Sequence, residues 1–231
     1  MRQVYVDSHF LFRRTAFVED GVLQALALES LEKEPLEGAV FLGRITATVP
    51  ALEAVFVDVG LDQEAFLPIH DLPVQDRSHN LKNGKEILVQ LKSDSGRFKG
   101  PKVTAKIELP GRYLVLLPGS NQKSVSKRLK DASRRKSLIE GLDTVLGELG
   151  YIVRTEGTLA DCDHVIAEAK RLKIQWDELC RAYVTVKAPK CLYTGLSQAQ
   201  RLMLTHLSVP ETEIVLADPS DWPGIEAFIT Q

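Results

Sequence analysis

Ala54-Val55-Phe56-Val57-Asp58-Val59-Gly60 is the stretch on which the reading of this chain turns. In a strand, successive side chains point to opposite faces, so Val55, Val57 and Val59 share one side while Phe56 and Asp58 take the other. A strand of this kind buries its valines and turns a phenylalanine away from them. Upstream, Phe41-Leu42-Gly43-Arg44-Ile45-Thr46-Ala47-Thr48-Val49 is a second β-rich run, and downstream come Ala65-Phe66-Leu67-Pro68-Ile69 and the strand from Glu86 to Lys92. Short strands broken by Gly and Pro predict a small antiparallel barrel rather than a parallel sheet.

Either side of this block the pattern differs. The runs Val4 to Val6, Ala16 to Val18 and Val22 to Leu28 open the chain, and Glu19-Asp20-Gly21 between the last two suits a tight hairpin, because Asp and Gly tolerate positive φ. After the barrel, strands over 102–109 and 112–117 lead into helical patterns near 131–149, 158–182 and 197–207. These alternate with short strands over 151–153, 191–193 and 213–217, an α/β signature. Leu159, Cys162, Val165, Ile166, Ala169, Leu172 and Trp176 fall three or four apart and predict one apolar stripe. The predicted fold class is therefore mixed α+β, with a β-barrel beside an α/β part.

Composition narrows the function. The formal net charge of −2 conceals a segregation: from Lys82 to Lys136 there are 15 Lys or Arg against 4 Asp or Glu, a local excess of +11. Such a stretch is the electrostatic footprint of a polyanion partner or, as the plainer alternative, a solvated face. No run approaches the length of a membrane-spanning helix, and Met1-Arg2-Gln3-Val4-Tyr5-Val6-Asp7 does not read as a signal peptide, so a cytoplasmic, non-membrane protein is expected. The 3 cysteines, Cys162, Cys180 and Cys191, form no Cys-x-x-Cys pair and are expected to be reduced and mostly buried.

Single-stranded RNA binding requires exposed rings for the bases and cations for the phosphates. Phe56 and Phe66, on neighbouring strands, are the candidate rings, and Arg97, Lys99 and Lys102, in a glycine-bearing loop from Ser95 onward, are the candidate cations. The alternative is that both rings fill the barrel interior. The acids Asp7, Asp20, Asp163 and Asp218 show no pattern of convergence, and His70, His79, His164 and His206 lack metal-ligand spacing, so neither a catalytic nor a metal site is assigned.

Phe41-Leu42-Gly43-Arg44-Ile45, Leu52 to Gly60 and Ala65-Phe66-Leu67-Pro68 closely resemble the S1-type RNA-binding barrel of the ribonuclease E/G family. Lys99-Gly100 ahead of Val103-Thr104, Gly111-Arg112-Tyr113-Leu114-Val115-Leu116-Leu117-Pro118-Gly119 and Gly150-Tyr151-Ile152-Val153-Arg154-Thr155 look like that family's motifs in the same order. Ala188-Pro189 and Glu213 to Asp218 follow it more loosely. The resemblance implies an OB-type barrel inserted into an RNase H-like α/β subdomain, with residues 1–37 opening that subdomain, 38–104 forming the barrel and 105–231 completing it. It also implies that Phe56, Phe66 and Lys99 hold RNA. Arg154, Thr155 and the backbone at Val115 would recognise a 5′-monophosphate, with Lys127 and Arg128 adding positive potential. Val59 departs from the family, where an aromatic or another apolar residue often stands.

The family's magnesium-holding acids and zinc cysteines belong to segments beyond those matched, so no cofactor is assigned to these residues. The expectation is an RNA-binding chain that works in RNA processing or decay without cutting RNA alone. One alternative is an endoribonuclease whose catalytic half comes from a separate subunit or protein partner. Another is a scaffold that has lost RNA contact. The oligomeric state is left open.

Overall fold

The computed structural model describes residues 1–32, 36–73, 82–93, 100–207 and 212–229. By contact, the chain falls into two units: Met1–Pro35 with Leu196–Gln231, and Leu36–Gly195. The cuts lie near 35 and 195, where the division expected from sequence lay near 37 and 104. The whole basic stretch belongs to the second unit.

The first unit begins with β1 (Arg2–His9), β2 (Phe12–Glu19) and β3 (Val22–Ser30), an antiparallel meander. The predicted hairpin between β2 and β3 forms, with Asp20 at φ 50° and Gly21 at φ 77°.

The second unit opens with the barrel: β4 (Val40–Val49), β5 (Ala54–Asp58), β6 (Ala65–Pro68), β7 (Glu86–Ser93) and β8 (Lys102–Thr104). The strands pair in the order β4-β5-β6-β8-β7, and β7 returns to β4, which closes a five-stranded ring. β6 and β8 run parallel and the other pairs antiparallel, the arrangement of an OB-like barrel. The inward row is the predicted one: Val55 and Val57 are fully buried and Val59 nearly so, packed with Phe41, Ile45, Ala65, Leu67, Val89, Leu91 and Val103. Gly43 is required by closure, since a Cβ there would lie 2.4 Å from Val57 Cγ1.

Buried polar groups seal the barrel's edge. The Gln90 side-chain amide donates to the carbonyls of Gly38 (3.0 Å) and Glu108 (2.8 Å), and its oxygen accepts from the Glu108 amide (2.9 Å). Asp71, nearly buried, accepts from Lys106 Nζ at 2.6 Å. Burial opposes ionisation of Asp71, but hydrogen bonds from Lys106 and Thr104 and the Lys106 charge outweigh it and hold the carboxyl below its ordinary 3.8. A folded pKa below the unfolded one stabilises the protein above about pH 4, and that gain is lost as pH falls through the folded value. Lys106→Met is therefore expected to cost about 1–3 kcal/mol at pH 7. In urea unfolding the gap between wild type and variant should close in acid, and a gap independent of pH would contradict the pairing.

Beyond the barrel come β9 (Leu109–Pro110), β10 (Leu114–Leu117), β11 (Lys123–Val125), α1 (Ala132–Leu146), β12 (Gly150–Val153), α2 (Thr155–Leu159), α3 (Cys162–Thr185) and β13 (Lys190–Tyr193). β13 lies antiparallel against β4. The other four strands form a second sheet, β11-β12-β10-β9, with β11 and β12 parallel. Leu114, Leu116, Tyr151 and Val153 of this sheet pack against Leu138, Leu142 and Leu146 of α1 and Val165, Ala169 and Leu172 of α3. Asp131 caps α1 by accepting from the amides of Ser133 and Arg134.

Three expectations need correction here. The predicted helix from 158 is two helices, α2 and α3, interrupted at Ala160 and Asp161, and Leu159 leaves the apolar stripe and is exposed. The single strand expected over 102–109 is two short ones, β8 and β9. None of the cysteines is buried: Cys162 and Cys191 are half-buried and Cys180 is exposed, all three as free thiols.

The first unit is completed by α4 (Gln198–His206), β14 (Thr212–Leu216) and α5 (Trp222–Ile229), the last without a counterpart in the sequence reading. β14 runs parallel to β1, giving the sheet β14-β1-β2-β3. Val4, Val6 and Phe17 face Leu202, Met203 and Ile225 in its core. A capping box, Ser197 with Gln200, starts α4, and Glu29 of β3 accepts from the Gln198 amide at 2.9 Å. The chain is thus of mixed α/β class, an OB-like barrel together with α/β layers.

Candidate nucleic-acid interface

The outward row of β5 and β6 is the reverse of the buried valine row. Phe56 is the cross-strand partner of Phe66, and Phe66 is the partner of Lys102 on β8. Three neighbouring strands therefore set two rings and an ammonium side by side. The rings meet edge to face, with centroids 6.1 Å apart and planes at 78°, the geometry favoured by the ring quadrupole. Both are half-buried and Lys102 is exposed, so each ring keeps accessible surface.

The row is held by backbone. The Phe66 amide donates to the Pro101 carbonyl at 2.8 Å, and the Thr46 hydroxyl donates to the Phe56 carbonyl at 3.2 Å. Gly100 permits the close approach of its segment to β6, since a Cβ there would stand 2.6 Å from the Glu64 carbonyl oxygen. Arg97 and Lys99, the other two cations expected here, lie outside the described residues.

A second group of expected residues gathers at one end of the other sheet. Val115 on β10 pairs with Ile152 on β12, and two residues on, just past the end of β12, comes Arg154, whose amide donates to the Tyr113 carbonyl at 2.8 Å. Thr155 begins α2 immediately after. β11 runs alongside, and its continuation is tied in by the Ser126 amide on the Val153 carbonyl at 3.2 Å, which brings Lys127 and Arg128 to the same end. Arg154, Thr155 and Val115 are half-buried, Lys127 and Arg128 exposed. Among the described residues, the side chains of Lys102, Lys127, Arg128 and Arg154 make no hydrogen bond or ion pair with the protein, which leaves their charge available to a ligand.

Three of the four acids considered earlier have local partners, and the fourth, Asp163, lies in the first turn of α3. Asp7 pairs with Arg14, Asp20 with the N-terminal ammonium, and Asp218 accepts from the Ser220 amide. His206 stacks on Phe17 at 4.0 Å, and burial lowers its pKa, with Glu19 opposing.

One functional candidate escaped the sequence reading. Glu168 of α3, 9% exposed, accepts hydrogen bonds from the amides of Arg112 (2.6 Å), Tyr113 (2.7 Å) and Leu114 (3.0 Å). The available signal was its position: it sits between Val165 and Ala169 and Leu172, so a carboxylate flanks the buried stripe of an amphipathic helix. A buried carboxylate requires donors, and a run of backbone amides supplies them.

Comparison with known proteins agrees with this geometry. Residues 108–231 match the model of the Ribonuclease E/G family, and residues 34–93 match that of the S1 RNA binding domain. Ribonuclease G of Escherichia coli is 30% identical over 206 residues, covering 82% of this chain and 42% of that protein. Ribonuclease G of Haemophilus influenzae is 28% identical over 208 residues with the same shares, and Ribonuclease E of Escherichia coli is 29% identical over 222 residues, covering 89% of this chain and 21% of that protein. The chain spans less than half the length of these relatives. No helix among the described residues is long and apolar enough to cross a membrane. With an OB-like barrel where the S1 model matches and a further match across more than half of its length, the chain belongs to the ribonuclease E/G family.

Proposed function

We propose that this chain binds single-stranded RNA in RNA processing or decay, laying it across β5, β6 and β8 of the barrel and receiving its 5′-monophosphate where β11 and β12 end and β10 begins. The observation that carries the reading is the row Phe56, Phe66 and Lys102, two accessible rings beside an uncommitted ammonium on adjacent strands. Bases stack on rings of this kind and phosphates meet the cation. The match to the S1 RNA binding domain covers the strands that bear both rings. Arg97 and Lys99 are proposed to extend the row. Binding of a single-stranded oligoribonucleotide, measured for the wild type and for a variant lacking both rings, tests the reading; equal affinities would remove it.

The 5′-end part of the proposal is supported by Arg154, Thr155, Lys127 and Arg128 at one end of the sheet beside the backbone of Val115. A guanidinium presents paired donors to phosphate oxygens and a hydroxyl adds one more; charge-assisted bonds of this type are the stronger ones. Arg154→Ala is expected to reduce the preference for a 5′-monophosphorylated over a 5′-hydroxyl oligonucleotide by about tenfold or more, with affinity for the 5′-hydroxyl form unchanged. A wild-type chain that binds the two oligonucleotides alike would remove this part while leaving the barrel reading intact.

A further inference from the structure

We infer that Glu168 is a positioning residue for the 5′-end site, holding the turn between β9 and β10 so that this turn in turn fixes Arg154. The inference rests on the 5′-end reading above and deepens it. The chain of contacts is short. Both carboxylate oxygens of Glu168 are engaged, Oε1 by the Arg112 amide and Oε2 by those of Tyr113 and Leu114. Arg171, one turn further along α3, stands 3.7 Å from Oε1. On its other side the turn meets Arg154, whose amide donates to the Tyr113 carbonyl at 2.8 Å. Leu114 is followed by Val115, so the amide row that Glu168 holds leads straight into the backbone offered to the phosphate.

The packing leaves this relay little slack. A Cβ at Gly111 would stand 2.5 Å from the Glu168 carboxylate, and a Cβ at Gly157 in α2 would stand 2.5 Å from the Tyr113 carbonyl oxygen. The turn is therefore pressed between the Glu168 carboxylate of α3 on one side and Gly157 of α2 on the other, with no room for a side chain at Gly111 or Gly157. A phosphate site of this kind depends on donors being held in place before the ligand arrives, since ordering them on binding would subtract from affinity. The carboxylate also occupies three amides that would otherwise be open to an anion, which leaves the phosphate to Arg154, Thr155 and the cations beside them.

Glu168→Gln separates positioning from simple support of the fold. Glutamine has the same shape, but its NH2 group would face a backbone N–H, so at least one of the three bonds is lost. The expected result is that the preference for a 5′-monophosphorylated over a 5′-hydroxyl single-stranded oligoribonucleotide falls by about threefold to tenfold, while affinity for the 5′-hydroxyl form stays at the wild-type value. A role confined to stability would lower both affinities together through the unfolded fraction and leave their ratio unchanged; that outcome, or an unaltered ratio in a folded variant, overturns the inference.

Should the variant fail to fold, the wild type decides. Amide hydrogen exchange at Arg112 to Leu114 should be slower with the phosphorylated oligonucleotide than with the hydroxyl form, and equal exchange overturns the inference. Failure of the underlying reading looks different, because then the wild type itself shows no preference between the two ends.

Discussion

Replacing Phe56 and Phe66 together by alanine is expected to weaken binding of a single-stranded oligoribonucleotide by about 30-fold or more, on the order of 2 kcal/mol at the least, since each stacked base contributes about 1–3 kcal/mol. The two rings touch edge to face at 6.1 Å, so their contributions are coupled and the double variant is more informative than the sum of the single ones. Neither ring belongs to the barrel interior. Their removal takes away one aromatic pair, about 0.5–1.5 kcal/mol, and leaves Val55, Val57, Ala65 and Leu67 in place. Fluorescence anisotropy at fixed salt, with circular dichroism to establish the fold, measures the effect. A folded double variant with wild-type affinity would show that RNA does not lie on this face.

Leu67→Ala is expected to do the opposite: destabilise the chain by about 2–5 kcal/mol and leave the RNA affinity of the folded fraction as it was. Leu67 is fully buried and follows Phe66 directly, so the two side chains leave β6 on opposite faces. It packs among Val55, Val57, Val89 and Val103, in a closed barrel whose strands cannot easily collapse around a cavity. Urea unfolding reads the loss. If Phe66→Ala cost as much stability as Leu67→Ala, the alternation on which the interface rests would be wrong. Adjacent residues of one strand thus divide the work: one holds the barrel together and the other is left for a ligand.

The barrel was legible because its strands alternate. Alternation puts Phe56 opposite Val55, Val57 and Val59 without any tertiary information, while the burial of the three valines in the closed barrel decides which of the two rows is inward. The hairpin at Asp20-Gly21 was legible for the same local reason, two residues that tolerate positive φ. Other elements carried no such signature. β11 is 3 residues long and has only Val125 buried, too short for alternation to register. The break between α2 and α3 has no Pro or Gly at Ala160 and Asp161; it arises where the chain turns from β12 into α3, with Gly157 against the Tyr113 carbonyl.

The candidate site divides in the same way. Residue types and strand faces, Phe56, Phe66 and the basic excess from Lys82 to Lys136, could be read from the chain because alternation and charge are properties of neighbouring residues. Which of them meet could not: the register that sets Phe56 beside Phe66 and Phe66 beside Lys102 comes from barrel closure, and the same folding sends Lys127 and Arg128 to the other sheet. Glu168 is the extreme case, a carboxylate more than fifty positions from the amides it holds. Local sequence determines which way a side chain points, because backbone geometry does so residue by residue; only tertiary structure determines what stands opposite, because that depends on strands and helices brought together from distant parts of the chain.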